Sequence, residues 1–182
     1  MCMDPKPKNP KENKVTVLGL GGSGGQILHH IAKQCDNYNL LYVDSDETSL
    51  LESTVKTLQN TSNGQTDFVS VMEEIRDTQK LIITTGLGGE FGTFSSYIIY
   101  KMAKTENIQD IELVITIPAK FEGKKRRNLA QETLELLNTN NVDYTIIHFD
   151  NLIEKMDKKA SLNDCFKIMD EIVYQKIISL VI

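Results

Sequence analysis

A parallel α/β sheet with helices on both faces is the fold class this sequence predicts. Three features carry that expectation. Short β-branched runs are apolar at nearly every position, helical periods lie between them, and two glycine-rich turns stand where a strand ends and a helix begins. Val15-Thr16-Val17-Leu18 reads as the first strand, Gly19-Leu20-Gly21-Gly22-Ser23-Gly24-Gly25 as a glycine loop, and Ile27, Leu28, Ile31 and Ala32 as the inner face of a helix. Leu40 to Val43 is a second strand ending in the acids of Asp44-Ser45-Asp46, followed by a short helix and a weak strand, Val55 to Leu58. An amphipathic segment, Phe68 to Arg76, precedes the strand Leu81 to Thr85, which runs into a second glycine loop, Gly86-Leu87-Gly88-Gly89-Glu90-Phe91-Gly92. A helix over Thr93 to Lys104, strands Leu113 to Ile117 and Tyr144 to Phe149, and an intervening helix from about Lys124 to Leu137 complete the alternation. Ser161 with Asp164 three residues on reads as a capped start for a long final helix, with Leu162, Phe166, Met169, Val173, Ile177 and Leu180 at helical spacing.

Composition sets the limits. The 182 residues are 40% hydrophobic and 25% charged, enough for one buried core, with residues 14–182 as the domain and 1–13 as a flexible leader. A net charge of -5 opposes a nucleic-acid footprint, which needs clustered Lys and Arg. No apolar run approaches the roughly 20 residues of a membrane span. Cys2, Cys35 and Cys165 are isolated and odd in number, giving neither a metal clamp nor a disulfide framework and fitting a reducing cytoplasm. His29, His30 and His148 belong to no nucleophile or metal constellation and read as packing or surface residues, so no catalytic residue is assigned.

A glycine turn between strand and helix brings backbone N–H groups close to an anion, and the helix dipole adds partial positive charge there; phosphate is the natural ligand. Gly19-x-Gly21-x-x-Gly24, with Asp44 about 20 residues later, matches the dinucleotide fingerprint of Rossmann-like sheets. A second loop on a neighbouring strand would grip successive phosphates from the other side.

Taken together, these blocks resemble the FtsZ/tubulin superfamily. Gly19 to Gln26 is similar to its first phosphate loop, Val43 to Asp46 to its Asn-Thr-Asp strand end, Thr85 to Thr93 to its GGGTGTG loop, and Thr116 to Arg126 to the FtsZ block T-x-P-F-x-F-E-G-x-K-R. The resemblance implies the GTPase-domain topology of that superfamily, ending in its long central helix, with GTP or GDP as ligand and Mg2+ as an optional companion. Gly21, Gly22, Ser23, Gly24 and Gly25 would then wrap the inner phosphates, with Gln26 near the base. Asp46 would stand at the acidic strand end, and Gly88, Gly89, Glu90, Phe91, Gly92 and Thr93 at the terminal phosphates. Glu122 and Arg126, one helical turn apart, would flank the ribose or simply pair with each other. Phe166 would stack on guanine or join the core, and Asp170 would accept from guanine N1–H and N2–H or stay solvated beside Glu171.

Departures from the pattern bear on function. Glu90 stands where the family has glycine, Phe91 where it has threonine and Phe94 where it has the last glycine, so affinity for the terminal phosphate should fall. Asn60 to Thr66 is shorter than the family's third loop, and Phe149 replaces an asparagine. The acidic loop that activates water in a neighbouring subunit has no counterpart before Ile182, so little autonomous hydrolysis is expected. The resulting expectation is a guanine-nucleotide-binding protein of the cytoplasm that acts in filament assembly or its regulation, with another copy or a filament protein as partner. The alternatives are a nucleotide-free interaction module on the same scaffold, and an NAD-dependent or ThiF-like adenylating enzyme; the last leaves Phe121 to Arg126 unexplained.

Overall fold

The computed structural model describes residues 15–34, 37–51, 53–58, 67–156 and 160–181. The expected leader, Cys35 and the Asn60 to Thr66 segment lie outside those residues. Six strands form one all-parallel sheet: β1 (Val15–Leu20), β2 (Asn39–Val43), β3 (Lys56–Leu58), β4 (Lys80–Gly86), β5 (Asp110–Ile117) and β6 (Tyr144–His148), in the spatial order β3-β2-β1-β4-β5-β6. The order reverses between β1 and β4, which are hydrogen-bonded neighbours in register Leu20↔Thr85. Ligands of open α/β sheets sit at such a switch point, outside the carboxyl ends of the strands.

The helices are α1 (Gly21–Gln34), α2 (Glu47–Leu51), α3 (Phe68–Ile75), α4 (Glu90–Thr105), α5 (Lys124–Thr139), α6 (Phe149–Ile153) and α7 (Leu162–Val181), with a short 3-10 turn at Lys120–Glu122. Strand residues alternate between two cores. Leu18, Leu20, Leu41, Ile83, Leu113 and Ile115 pack under α3, α4 and α5 through Ile75, Ile99 and Leu137. Val17, Tyr42, Ile82 and Val114 face α1, α6 and α7 on the opposite side. Burial on both faces explains why the strands read as continuous apolar runs.

Two helix starts and one buried stripe depart from the sequence reading. α1 begins at Gly21, so the first glycine loop is itself a helical turn. α4 likewise starts at Glu90, ahead of the expected Thr93. Along α7, roughly 30 Å long, the buried stripe is Cys165, Met169, Val173 and Ile177, while Leu162 and Phe166 are 49% and 39% exposed. The true stripe runs at a spacing of four residues, and Phe166, one position beyond Cys165, is rotated away from it. The capped start is as expected: Ser161 Oγ donates to Asp164 Oδ2 at 2.6 Å and accepts from the Asp164 amide at 3.1 Å.

Candidate functional site

The chain leaves β1 through Gly21, whose φ of +69° is a left-handed turn that glycine adopts without strain. α1 then starts at once, and its first N–H groups have no partner within the helix. On the neighbouring strand, β4 runs into a turn at Gly88, where φ is +91° and a Cβ would lie 2.8 Å from the Arg126 carbonyl oxygen. The Gly88 amide donates to Thr93 Oγ1 at 2.9 Å, so the first buried hydroxyl of α4 holds its own entry loop. Gly89 caps α4 without a side chain, which leaves that helix start uncapped as well.

These two helix starts touch, since a Cβ on Gly21 would sit 3.4 Å from the Gly92 nitrogen. Between them opens a cavity of about 230 Å³, lined by Leu20, Gly21, Gly22, Ser23, Asp44, Gly86, Gly89, Glu90, Phe91, Gly92 and Arg126. Open space lies in front of Gly22 and Gly89, where a Cβ would meet nothing within 4 Å. Two positive dipole ends thus face one hollow, an arrangement suited to phosphate groups.

A second cavity, of about 270 Å³, shares Ser23, Gly86 and Arg126 with the first, and the two form one cleft along the switch point. Its further walls are Gln26, Ile27, Leu87, Thr116, Ile117, Pro118, Glu122, Phe149, Phe166, Met169 and Asp170. Arg126 Nη1 donates to Glu122 Oε2 at 2.6 Å, and Glu122 Oε1 accepts from the Ala119 amide at 2.8 Å. The pair is therefore a surface ion pair that also forms part of the cleft wall. Phe149 stacks on Phe166 with centroids 4.9 Å apart and planes at 27°, and Phe121 meets Phe149 edge-on at 6.0 Å. Burial raises the Asp170 carboxyl above the usual carboxylate range, partly opposed by the nearby His30. His30 bonds Glu171 at 2.8 Å and His29 bonds Ser53 Oγ at 3.0 Å, so both act in packing α1 against its surroundings.

Most of the residues singled out in the sequence come together here. Gly24 and Gly25 do not line the cleft; they are buried under it, where they let α1 lie against the sheet, a Cβ on Gly25 falling 2.4 Å from the Tyr42 ring. Asp46 lines neither cavity and caps α2 instead, accepting from the Thr48 amide at 3.0 Å and from Ser49 Oγ at 2.9 Å. Glu90 points outward, its side chain 90% exposed and 3.8 Å from Lys125 Nζ. Phe91 is half-buried against the core while forming part of the cavity wall. Neither side chain closes the cleft.

Asp44 was not among the residues proposed for the phosphate end. It lies only 5% exposed on the cavity wall, accepting from Tyr42 Oη at 2.8 Å and from the Ser45 and Asp46 amides at 2.7 and 3.3 Å. Burial, and then the bond to Asp44, push the Tyr42 phenol well above its ordinary value. A further, mostly apolar hollow of about 320 Å³ between α4 and α5 is lined by Phe94, Tyr97, Leu129 and Leu136 along with Glu90 and Glu132, and among its described lining residues there is no glycine and no cation.

No protein-family model matches the chain. It is 29% identical over 184 residues to cell division protein FtsZ of Azotobacter vinelandii, a match covering 90% of this chain and 46% of that protein. Among solved structures, an FtsZ dimer from M. jannaschii superposes with a TM-score of 0.76 at 24% identity over 89% of this chain and 52% of that one. CetZ from Methanosaeta thermophila gives 0.74 at 18% identity, over 92% and 53%. The chain spans about half the length of the curated relatives it matches.

Proposed function

We propose, from the premise that this chain is an FtsZ/tubulin-superfamily GTPase-like domain, that it binds a guanine nucleotide, GTP or GDP, in the switch-point cleft. The observation that carries this reading is the pairing of two helix starts on adjacent central strands with an aromatic and a half-buried carboxylate at the other end of one continuous cleft. Such a cleft is polar where phosphates would lie and flat and apolar where a purine would lie.

Gly21, Gly22, Ser23, Gly89 and Gly92 would supply the amides around the phosphates, with Gly24, Gly25, Gly88 and Thr93 fixing their backbone. Arg126, at the junction of the two cavities, would meet the inner phosphate or ribose with its charge, held in line by Glu122. Gln26 and Asp170 would read the base edge beside Phe166. An ionised carboxylate accepts from N1–H and N2–H of guanine and repels the N1 acceptor of adenine. In this reading residues 14–182 form the nucleotide-binding domain, Mg2+ accompanies the phosphates, and the protein works in the cytoplasm in the assembly or regulation of FtsZ/tubulin-like filaments, with another copy or a filament protein as partner. None of the described helices is long and apolar enough to cross a membrane.

The test is chromatographic identification of nucleotide released from natively purified protein, with a thermal-shift series for added nucleotides. GDP or GTP in the released fraction, or a rise in Tm with guanine but not adenine nucleotides, is the expected result; ligand at 100 times its Kd adds about 2.7 kcal/mol. Equal response to ATP and GTP would overturn the base assignment. A second reading, the scaffold as a ligand-free interaction module, draws on the Phe149–Phe166 stack, which already covers one face of Phe166. It predicts no bound nucleotide and no shift.

A further inference from the structure

Resting on that nucleotide reading, we infer that the cleft selects a nucleoside diphosphate over the matching triphosphate, and that Asp44 is the residue that sets the preference. Among the described residues, the ionisable side chains on the wall of the phosphate cavity are Asp44, Glu90 and Arg126. Two are acids. The one cation among them, Arg126, has its charge partly offset by Glu122, 2.6 Å away. The positive ends of α1 and α4 favour a phosphate close to the amides, within the first turn of each helix, and their influence fades beyond it. A further phosphate adds negative charge to a hollow that carries an acidic excess.

The two acids are not equivalent. Glu90 is 90% exposed and faces Lys125, so solvent and salt screen it. Asp44 is buried at the wall, where screening is weak, and three donors hold its carboxylate in place: Tyr42 Oη, the Ser45 amide and the Asp46 amide. A carboxylate has about four acceptor sites and no donor, so Asp44 offers an incoming phosphate oxygen only repulsion. An asparagine in its place would present an N–H₂ group to the same space. The Tyr42 hydroxyl can reverse its role and accept from that amide, so the contact between the two side chains survives the exchange.

The experiment is equilibrium binding of GDP and GTP to the whole chain, stripped of nucleotide, in a chelator and then in excess Mg2+, for the native protein, Asp44→Asn and Glu90→Gln. In chelator, GDP should bind the native protein about tenfold or more tightly than GTP. Asp44→Asn should shrink that ratio to within about threefold, Glu90→Gln should change it less, and Mg2+ should shrink it for the native protein by offsetting the acids. GTP binding as well as GDP in chelator, or a ratio that Asp44→Asn leaves intact while melting and circular dichroism match the native protein, would overturn the inference. A ratio indifferent to Mg2+ would also overturn it, because shape at Phe91 and not charge would then be selecting. Failure of both nucleotides to bind at all would sink the nucleotide reading beneath it.

Discussion

Thr85 and Gly92 meet so closely that a Cβ on the glycine would lie 2.2 Å from Thr85 Oγ1, which itself donates to the Leu20 carbonyl at 3.0 Å. That hydroxyl lashes the end of β4 to the end of β1, and the start of α4 rests on it. Gly92→Ala should therefore cost about 2 kcal/mol through overpacking, read by chemical denaturation. In the Thr85→Ala/Gly92→Ala double variant the loss should be smaller than the sum of the single losses, because removing Oγ1 vacates the space the new methyl needs. Additive losses would show that the two sites are independent.

Asp170→Asn should raise Tm at pH 7 while erasing discrimination between guanine and adenine nucleotides, by about tenfold or more in relative affinity. Burial raises the folded-state pKa of this carboxyl, so the native state holds its proton more tightly than the unfolded chain does. Stability then falls as pH rises from the unfolded value, about 3.9, through the raised folded value. The asparagine variant should lack that part of the decline, and a melting series between pH 4 and 7 checks it. An unchanged pH profile would remove Asp170 as its source.

At the start of α7 the sign is reversed. The bond from Ser161 holds the Asp164 carboxyl below its usual range, so the cap contributes above the unfolded carboxylate value and is lost as pH falls through the lower folded one. Ser161→Ala should cost about 1 kcal/mol and speed amide exchange over the first turn of α7, next to Phe166. Hydrogen exchange that stays slow there would show that the cap contributes nothing.

How much of this was legible in the sequence depends on what each residue answers to. The strands and the two loops were readable because apolar runs and glycine spacing report local backbone needs. The helical start at Gly21 was not, because glycine lowers helix propensity by about 1 kcal/mol relative to alanine, and only the close approach of Gly25 to Tyr42 shows why those glycines sit in a helix. Asp44 and Asp46 were separable only in three dimensions. Two positions separate the acid that lines the cavity from the acid that caps α2, and which is which depends on where β2 stops pairing with β1, at Val43. The short α6 at Phe149–Ile153 has too few residues for a period to register.

Gly22 and Gly25, three residues apart in the first loop, separate open cleft from packed scaffold. Gly25→Ala drives a methyl into the buried Tyr42 ring and should cost about 1–3 kcal/mol. Gly22→Ala puts its methyl into open cleft, and should leave stability equal or slightly higher while weakening GDP binding by about tenfold. Paired denaturation and binding curves on both variants check this, and unchanged binding in Gly22→Ala would move the ligand away from the first loop.

Because both cradles are mounted on laddered strands in the middle of the sheet, their separation is inherited from the strand-to-strand spacing of about 4.8 Å and not from any loop. Mutation at Glu90, Phe91 or Asp44 can alter what the jaws tolerate, yet the gauge between them stays put. On the nucleotide reading, a change of rim chemistry alone would alter ligand preference without rebuilding the frame that measures it.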